Sequence, residues 1–184
     1  MNYHNITYPD MNNGSGLRVV LWCSACSHHC VGCQNPQTWD TNSGIPFDEK
    51  AEKELFRELS KDYISGLTLT GGDPLHENNL DDISRIVNRF RLSFGQSKTI
   101  WLYTGYEWFD IWSDSRIVID DYTNQVYENY QKRQQIISMC DVLVDGRYIE
   151  SQRDITKKWA GSNNQRVMDV KQSLNQNKII LYCE

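Results

Sequence analysis

Residues 17–33 read LRVVLWCSACSHHCVGC, an apolar run that leads directly into three closely spaced cysteines. Valine, leucine and tryptophan are common in buried strands, and the run follows a Gly-containing turn at 13–16, so we predict a strand over 17–22. Cys26, Cys30 and Cys33 then lie on the loop that leaves this strand. A short apolar strand followed by a small or polar turn recurs along the chain, and this repetition sets the expected fold.

Three further strands are predicted, each ending in such a turn: 67–70 before GGDP, 99–103 before TG, and 142–144 before DG. Apolar residues at helical spacing predict two helices: one over 48–61 and one marked by Leu80, Ile83, Val87 and Phe90. Strands alternating with helices indicate an α/β fold with a mostly parallel sheet. Ligands of such folds bind at the carboxyl ends of the strands, so the cysteine loop and the GGDP and TG turns should share one edge.

The rest of the chain gives weaker signals. Aromatic residues favour a short helix at 108–112, a second helix is expected over 122–138, and the stretch from Asp114 to Asp121 is expected to be a solvated connection. Residues 178–182 are expected to add an edge strand. With 184 residues, we expect a single domain over 1–184.

Composition narrows the functional classes. A formal net charge of −5 does not indicate a nucleic-acid partner, and no apolar run approaches the roughly 20 residues that span a bilayer. The first residues lack the pattern of a signal peptide, so a cytoplasmic protein is expected. In that reducing compartment the clustered cysteines suggest a metal site, whereas Cys23, Cys140 and Cys183 are expected to be small buried residues.

Three thiolates can hold one inorganic centre and leave one coordination position open. An iron–sulfur cubane normally takes four cysteines, so a cluster held here would have one iron for another ligand. A zinc site completed by His28 or His29 is the alternative, although each histidine taken singly is expected to be an exposed loop residue. A structural zinc site usually takes its ligands from two short segments that are far apart in the sequence, and no second segment of this kind appears here.

The turn at 71–74 is the second candidate site. Gly71 and Gly72 permit positive φ angles and let a ligand approach the backbone, and Asp73 could place a positive group. A tight turn that begins the next helix near Pro74 is the common alternative explanation.

Together, the CxxxCxxC triplet and the following strand with its GGDP turn resemble the radical S-adenosylmethionine (AdoMet) enzymes. More narrowly, the sequence is similar to the activating enzymes of anaerobic ribonucleoside-triphosphate reductases. The segments that carry this narrower resemblance are NxxTW at 35–39, NSG at 42–44, LTLTGGDPL at 67–75, WxYTGY at 101–106, VLVDGRY at 142–148 and WxGSxNQ at 159–165.

The resemblance implies a single-domain partial (β/α) barrel of the radical-AdoMet type. Cys26, Cys30 and Cys33 would hold a 4Fe-4S cluster whose fourth iron is chelated by AdoMet. Reductive cleavage of AdoMet would give a radical that removes hydrogen from a glycine of the large reductase subunit, and a donor such as reduced flavodoxin would supply the electron. The residues expected beside AdoMet are Gly32, Cys33, Gln34, Gly71, Gly72 and Asp73.

The sequence also departs from the family pattern. Gln34 stands where the family commonly has an aromatic residue, an insertion is expected at about 107–138, and a C-terminal extension is expected after about 166. Two alternative functions remain open at this point: an activase of another glycyl-radical enzyme, such as pyruvate formate-lyase, and a zinc-stabilised binding module.

Overall fold

The computed structural model describes residues 1–112 and 121–183. Within them, seven strands form one sheet: β1 (Asn2–Asp10), β2 (Arg18–Cys23), β3 (Ile45–Pro46), β4 (Gly66–Gly71), β5 (Thr99–Tyr103), β6 (Val142–Asp145) and β7 (Arg166–Asp169). Five α-helices accompany them: α1 (Glu49–Leu59), α2 (Leu80–Phe94), α3 (Trp108–Trp112), α4 (Asp121–Ser138) and α5 (Val170–Gln176). No helix in these described ranges is both long and apolar enough to cross a membrane.

The sheet is mixed and open, with the strand order β3-β1-β2-β4-β5-β6-β7. The four central strands, β2, β4, β5 and β6, pair in parallel, while β1, β3 and β7 pair antiparallel at the two sides. The α/β class with a parallel centre is therefore confirmed, and the antiparallel sides make the whole sheet mixed. The parallel centre brings four strand ends to one edge.

Alternation along the central strands gives the sheet two different faces. Leu21 of β2 and Leu69 of β4 belong to the main core, into which α1, α2 and α4 also bury apolar residues. The opposite face carries a smaller cluster built on Trp101, Val142, Val144 and Val167. The helices thus leave the second face of the sheet to loops and to the end of the chain.

The predicted central elements agree closely with the structure. The strand predicted at 99–103 has the same bounds, and the helix predicted over 48–61 is α1, whose first turn is capped by the Asp48 carboxylate accepting from the Ala51 amide. The helix predicted over 122–138 is α4, which begins at Asp121, the last residue of the expected connection; residues 114–120 of that connection lie outside the described residues. The edge strand expected at 178–182 is wrong: there the structure shows an isolated bridge between Leu181 and Met168.

Asp141, just before β6, offers a test of what fastens the sheet to the helices. Its carboxylate accepts hydrogen bonds from Arg91 of α2 and from the Ile100 amide of β5, and it pairs with Lys171 of α5 at 2.8 Å. Burial alone would raise the pKa of Asp141, but the bonds to Lys171 and Arg91 outweigh it and lower that pKa.

We expect Asp141→Asn to reduce the free energy of unfolding at pH 7 by about 2 kcal/mol, because charge-assisted hydrogen bonds are lost. A carboxyl group with a lowered folded-state pKa stabilises the protein above its unfolded pKa of about 3.9, and this contribution is lost as the pH falls through the folded-state value. Urea unfolding should therefore show a difference between the two proteins that shrinks below about pH 4. A difference that is the same at pH 3 and pH 7 would contradict this account.

Candidate active site

The carboxyl ends of the four parallel strands surround one cavity of about 410 Å³. The loop after β2 contributes the three clustered cysteines, and the turns after β4, β5 and β6 contribute Gly71–Asp73, Thr104–Gly105 and Gly146–Tyr148. The prediction that the cysteine loop and the GGDP and TG turns share one sheet edge is thus confirmed. The cavity brings residues from distant parts of the sequence to one place.

The clustered cysteines line this cavity as free, half-buried thiols. Burial raises the pKa of Cys26 to about 11, even though the nearby backbone of His28 and His29 acts in the opposite direction. Burial likewise raises the pKa of Cys30, and the Tyr148 amide opposes that rise. Coordination to a metal centre removes such thiol protons.

The donor set fits a cluster better than a single ion. In the described part of the chain, no three His, Cys, Asp or Glu side chains come close enough to hold one metal ion. The His28 imidazole that a zinc site would recruit is already bonded to Asp73, and His29 packs its ring against Trp39 at 4.9 Å. Three cavity-facing thiols on one loop can instead bind three irons of a larger cluster and leave the fourth iron open to a ligand.

Of the other three cysteines, Cys23 and Cys140 are completely buried, as expected, and burial raises the pKa of both thiols. Cys183 is only partly buried, against the smaller apolar cluster. The prediction for Cys183 was therefore only partly right. All three lie outside the cavity lining.

The two glycines where β4 ends, Gly71 and Gly72, are needed for close backbone packing. Gly71 has a φ of +105°, and a Cβ there would lie 2.7 Å from the Cys23 nitrogen. A Cβ on Gly72 would lie 2.5 Å from the carbonyl oxygen of Ala25. The glycines thus let this turn pack directly against the start of the cysteine loop, where the Gly72 amide donates to the Cys23 carbonyl at 2.7 Å.

Asp73 lies at the bottom of the cavity and is almost fully buried. Its carboxylate accepts hydrogen bonds from Thr104 Oγ1 at 2.9 Å, from the Gly105 amide at 3.0 Å and from the Leu75 amide at 2.8 Å. His28 Nε2 lies 2.7 Å from the same carboxylate. The expectation that His28 is exposed is therefore wrong, since its side chain is only 5% exposed, whereas His29 is exposed as expected.

The far wall of the cavity consists of aromatic and amide side chains that sequence reasoning did not assign to the site. These residues are Asn12, Asn13, Trp22, Tyr103, Trp159 and Gln165. The segments 101–106 and 159–165, which carry part of the family resemblance, contain three of these residues: Tyr103, Trp159 and Gln165. The spacing of these residues in the sequence does not indicate which wall of the cavity they form. Gln34 and Asn35 line the cavity beside the third cysteine.

The turn after β6 closes the cavity beside the cysteine loop. Tyr148 donates to the Glu150 carboxylate at 2.6 Å, and Gly32 lies so close that a Cβ on it would be 2.1 Å from Glu150 Oε2. Gly32 also has a φ of +76°, a conformation that favours glycine. The expected role of Gly32 beside a ligand stays a prediction, while its contact with the β6 loop explains the residue type.

Comparison with known proteins places this cavity in a functional context. A family model described as a 4Fe-4S single cluster domain matches residues 12–168. The anaerobic ribonucleoside-triphosphate reductase-activating protein of enterobacteria phage T4 is 41% identical over 167 residues, which cover 91% of this chain and 93% of the phage protein. The proteins of the same name from Escherichia coli K12 and Vibrio cholerae are each 36% identical, over 91% and 90% of this chain and 97% and 96% of their own lengths.

Proposed function

The chain belongs to the family of anaerobic ribonucleoside-triphosphate reductase-activating proteins, and from that premise we propose that it is a radical-AdoMet oxidoreductase that generates a glycyl radical on the large subunit of such a reductase. The observation that carries this proposal is the shared cavity: in the described part of the chain the three clustered cysteines, which do not form a single-ion site, line the same cavity as the Gly71–Asp73 turn. The cavity volume of about 410 Å³ lies within the usual range of small-molecule and cofactor sites.

In this proposal Cys26, Cys30 and Cys33 hold a 4Fe-4S cluster. With AdoMet also bound, such a cluster would supply the reducing electron for cleavage of a carbon–sulfur bond of AdoMet, and the resulting radical would be able to take hydrogen from a glycine Cα. A one-electron donor such as reduced flavodoxin is proposed to supply that electron.

The protein residues position and shield the reactants. We assign Gly71, Gly72 and Asp73 to the surroundings of the methionyl end of AdoMet. Gly32, Cys33 and Gln34 are assigned to positions beside AdoMet next to the cluster. The aromatic far wall, with Trp22, Tyr103 and Trp159, would limit the entry of water. Such orientation and exclusion are the usual contributions of a protein to cofactor chemistry.

The open sheet supports the same proposal. Helices cover one face, and the sheet does not close on itself, because its terminal strands β3 and β7 lie at opposite ends of the strand order; we interpret this arrangement as a partial (β/α) barrel. An open side gives a protein substrate access to the cavity, because its glycine-bearing segment could reach the cluster without passing through a closed barrel. Residues 107–138 and the chain after about 166 are proposed to adapt this protein to its large partner.

The test is anaerobic reconstitution followed by three measurements. We expect about four irons and four sulfides per chain, AdoMet cleavage when the cluster is reduced, and a glycyl-radical electron paramagnetic resonance (EPR) signal on the anaerobic ribonucleotide reductase. The same assay with pyruvate formate-lyase should give no radical. An intact cluster that leaves AdoMet uncleaved would refute the proposal, and one zinc without sulfide would favour the binding module.

A further inference from the structure

His28 belongs to the cysteine loop in sequence but to the interior of the protein in structure. It lies midway between Cys26 and Cys30, yet its imidazole turns away from solvent and donates from Nε2 to Asp73 Oδ2 at 2.7 Å. The adjacent His29 is exposed and packs its ring beside Trp39. Two neighbouring residues of one type therefore have opposite environments.

The acceptor that His28 meets is held rigidly. The Asp73 side chain is 2% exposed, and Thr104, Gly105 and Leu75 also donate to its carboxylate. An ionised carboxylate offers about four lone-pair positions, so the donors around Asp73 occupy its acceptor capacity. The loops after β2, β4 and β5 thus meet at one carboxylate.

The space around the His28 ring is shaped to fit it. A Cβ on Gly105 would lie 2.4 Å from the ring, so only glycine leaves room at that position. The Tyr106 ring packs edge-on against His28 at 4.8 Å, and Arg133 lies over Tyr106 at 4.5 Å. Arg133 is in turn bonded to the Leu75 carbonyl at 2.9 Å, which ties this wall to the chain just after Asp73.

The cysteine loop and the Gly71–Asp73 turn are also joined by a hydrogen bond at the start of the loop. There the Asp73 amide donates to the Ala25 carbonyl at 2.7 Å, which joins the loop to the backbone of the turn. Three residues later His28 joins the loop to the side chain of the same aspartate. Because His28 is only two residues from Cys26 in the same loop, the position of His28 bears directly on where that thiol stands.

We propose that His28 is a positioning residue that fixes the cysteine loop to the Gly71–Asp73 turn. It thereby sets where Cys26 and Cys30 stand relative to the methionyl end of AdoMet, and this inference rests on the proposed function. Asp73 contributes by fastening His28, Thr104 and Gly105, so its place beside AdoMet comes through the turn that it stabilises. Residues that orient metal ligands in this way typically change metal affinity or activity 10- to 100-fold when replaced.

The experiment compares His28→Ala with the matched control His29→Ala in the full chain. After anaerobic reconstitution we would measure iron and sulfide content, the Kd for AdoMet, and the EPR spectrum of the reduced cluster with and without AdoMet. His28→Ala should bind AdoMet about 10- to 100-fold more weakly and lose most of the AdoMet-induced spectral change. His29→Ala should match the unmodified protein.

A double-mutant cycle separates positioning from independent contacts. If His28 acts through Asp73, the effects of His28→Ala and Asp73→Ala on the AdoMet Kd will not add, and the double variant will bind about as weakly as the weaker single variant. Additive effects would overturn the proposal. So would a His28→Ala protein that equals His29→Ala in iron content, Kd and spectrum.

His28→Gln keeps the proposal testable if the alanine variant fails to fold. Its side-chain amide can still donate to Asp73, so its Kd should lie closer to that of the unmodified protein than to that of Asp73→Ala. A His28→Gln protein as weak as Asp73→Ala would count against the inference. An unmodified protein that binds AdoMet but activates no reductase would refute the proposed function and leave the positioning role intact.

Discussion

Cys26→Ala is expected to abolish AdoMet cleavage and glycyl-radical formation, because it removes one of three protein ligands from the proposed cluster. A cubane that already lacks a fourth cysteine cannot lose another without losing an iron or the whole cluster. We expect iron after anaerobic reconstitution to fall from about four per chain to well below three. The radical signal on the reductase should disappear.

Cys183→Ala is the matched control for this prediction. Cys183 is also a free, partly buried thiol, but it packs beside the smaller apolar cluster and lies outside the cavity. Its replacement should leave iron content, AdoMet cleavage and radical formation unchanged. Reductase activation that survives in Cys26→Ala at the control's level would contradict the assignment of Cys26.

Association with the reductase should be separable from activation. Cys26 is half-buried inside the cavity, so it offers little surface to a large protein. Cys26→Ala should therefore bind the large subunit with an affinity close to that of the unmodified protein, measured by anaerobic calorimetry. Loss of both binding and radical formation would instead mean that the cluster loop itself forms part of the docking surface.

The elements that could be predicted from the sequence are those whose structure is determined by the residues of the segment itself. The β2 and β5 segments are apolar and β-branched or aromatic because both faces of a central strand are buried, and this gives a strong pattern. In contrast, β1 contains Asn, His, Pro and Asp, residues that are uncommon in strands, and its pairing with β2 has two register shifts. Its strand character comes from its neighbour, and the same holds for the two-residue β3.

The same distinction applies to the candidate site: its contiguous segments could be predicted from the sequence, and its long-range contacts could not. The cysteine loop and the GGDP turn could be found because each is contiguous and ends a recognisable strand. The far wall combines Asn12 and Asn13 with Trp159 and Gln165, which meet only after the sheet has formed. His28 was misjudged because a histidine in a polar loop carries no sequence signal for burial, and its partner Asp73 lies 45 residues away.

Arg18→Leu is expected to reduce the free energy of unfolding by about 3 kcal/mol. Arg18 is completely buried, and burial lowers its pKa to about 10. Its guanidinium donates to the Leu67 carbonyl at 2.5 Å, to the Thr68 hydroxyl at 2.6 Å and to the Thr99 carbonyl at 3.0 Å, so it joins β2, β4 and β5 near their starts. Leucine would leave these acceptors without their donor.

Arg18→Lys should be no more stable than Arg18→Leu. Lysine keeps a charge that must be buried, but its compact ammonium has three donors and cannot reproduce the planar arrangement of five that guanidinium offers. Urea unfolding would measure both variants, with Arg57→Leu as the control, because the Arg57 side chain is 67% exposed and its replacement should change stability by less than about 0.5 kcal/mol. An Arg18→Leu protein as stable as the unmodified one would show that relief of the buried charge offsets the lost hydrogen bonds.

The position of Arg18 also separates stability from chemistry. It pairs with Gly66 at the first residue of β4, at the end of the sheet opposite to the cysteine loop. Folded Arg18→Leu protein should therefore take up the same iron per chain as the unmodified protein, even though its midpoint in urea is lower. Iron uptake should be measured without urea, at a temperature where the variant is fully folded. A loss of iron under these conditions would mean that the two ends of the sheet are coupled, because strands β2, β4 and β5 would then transmit a change at their starts to the loops at their ends.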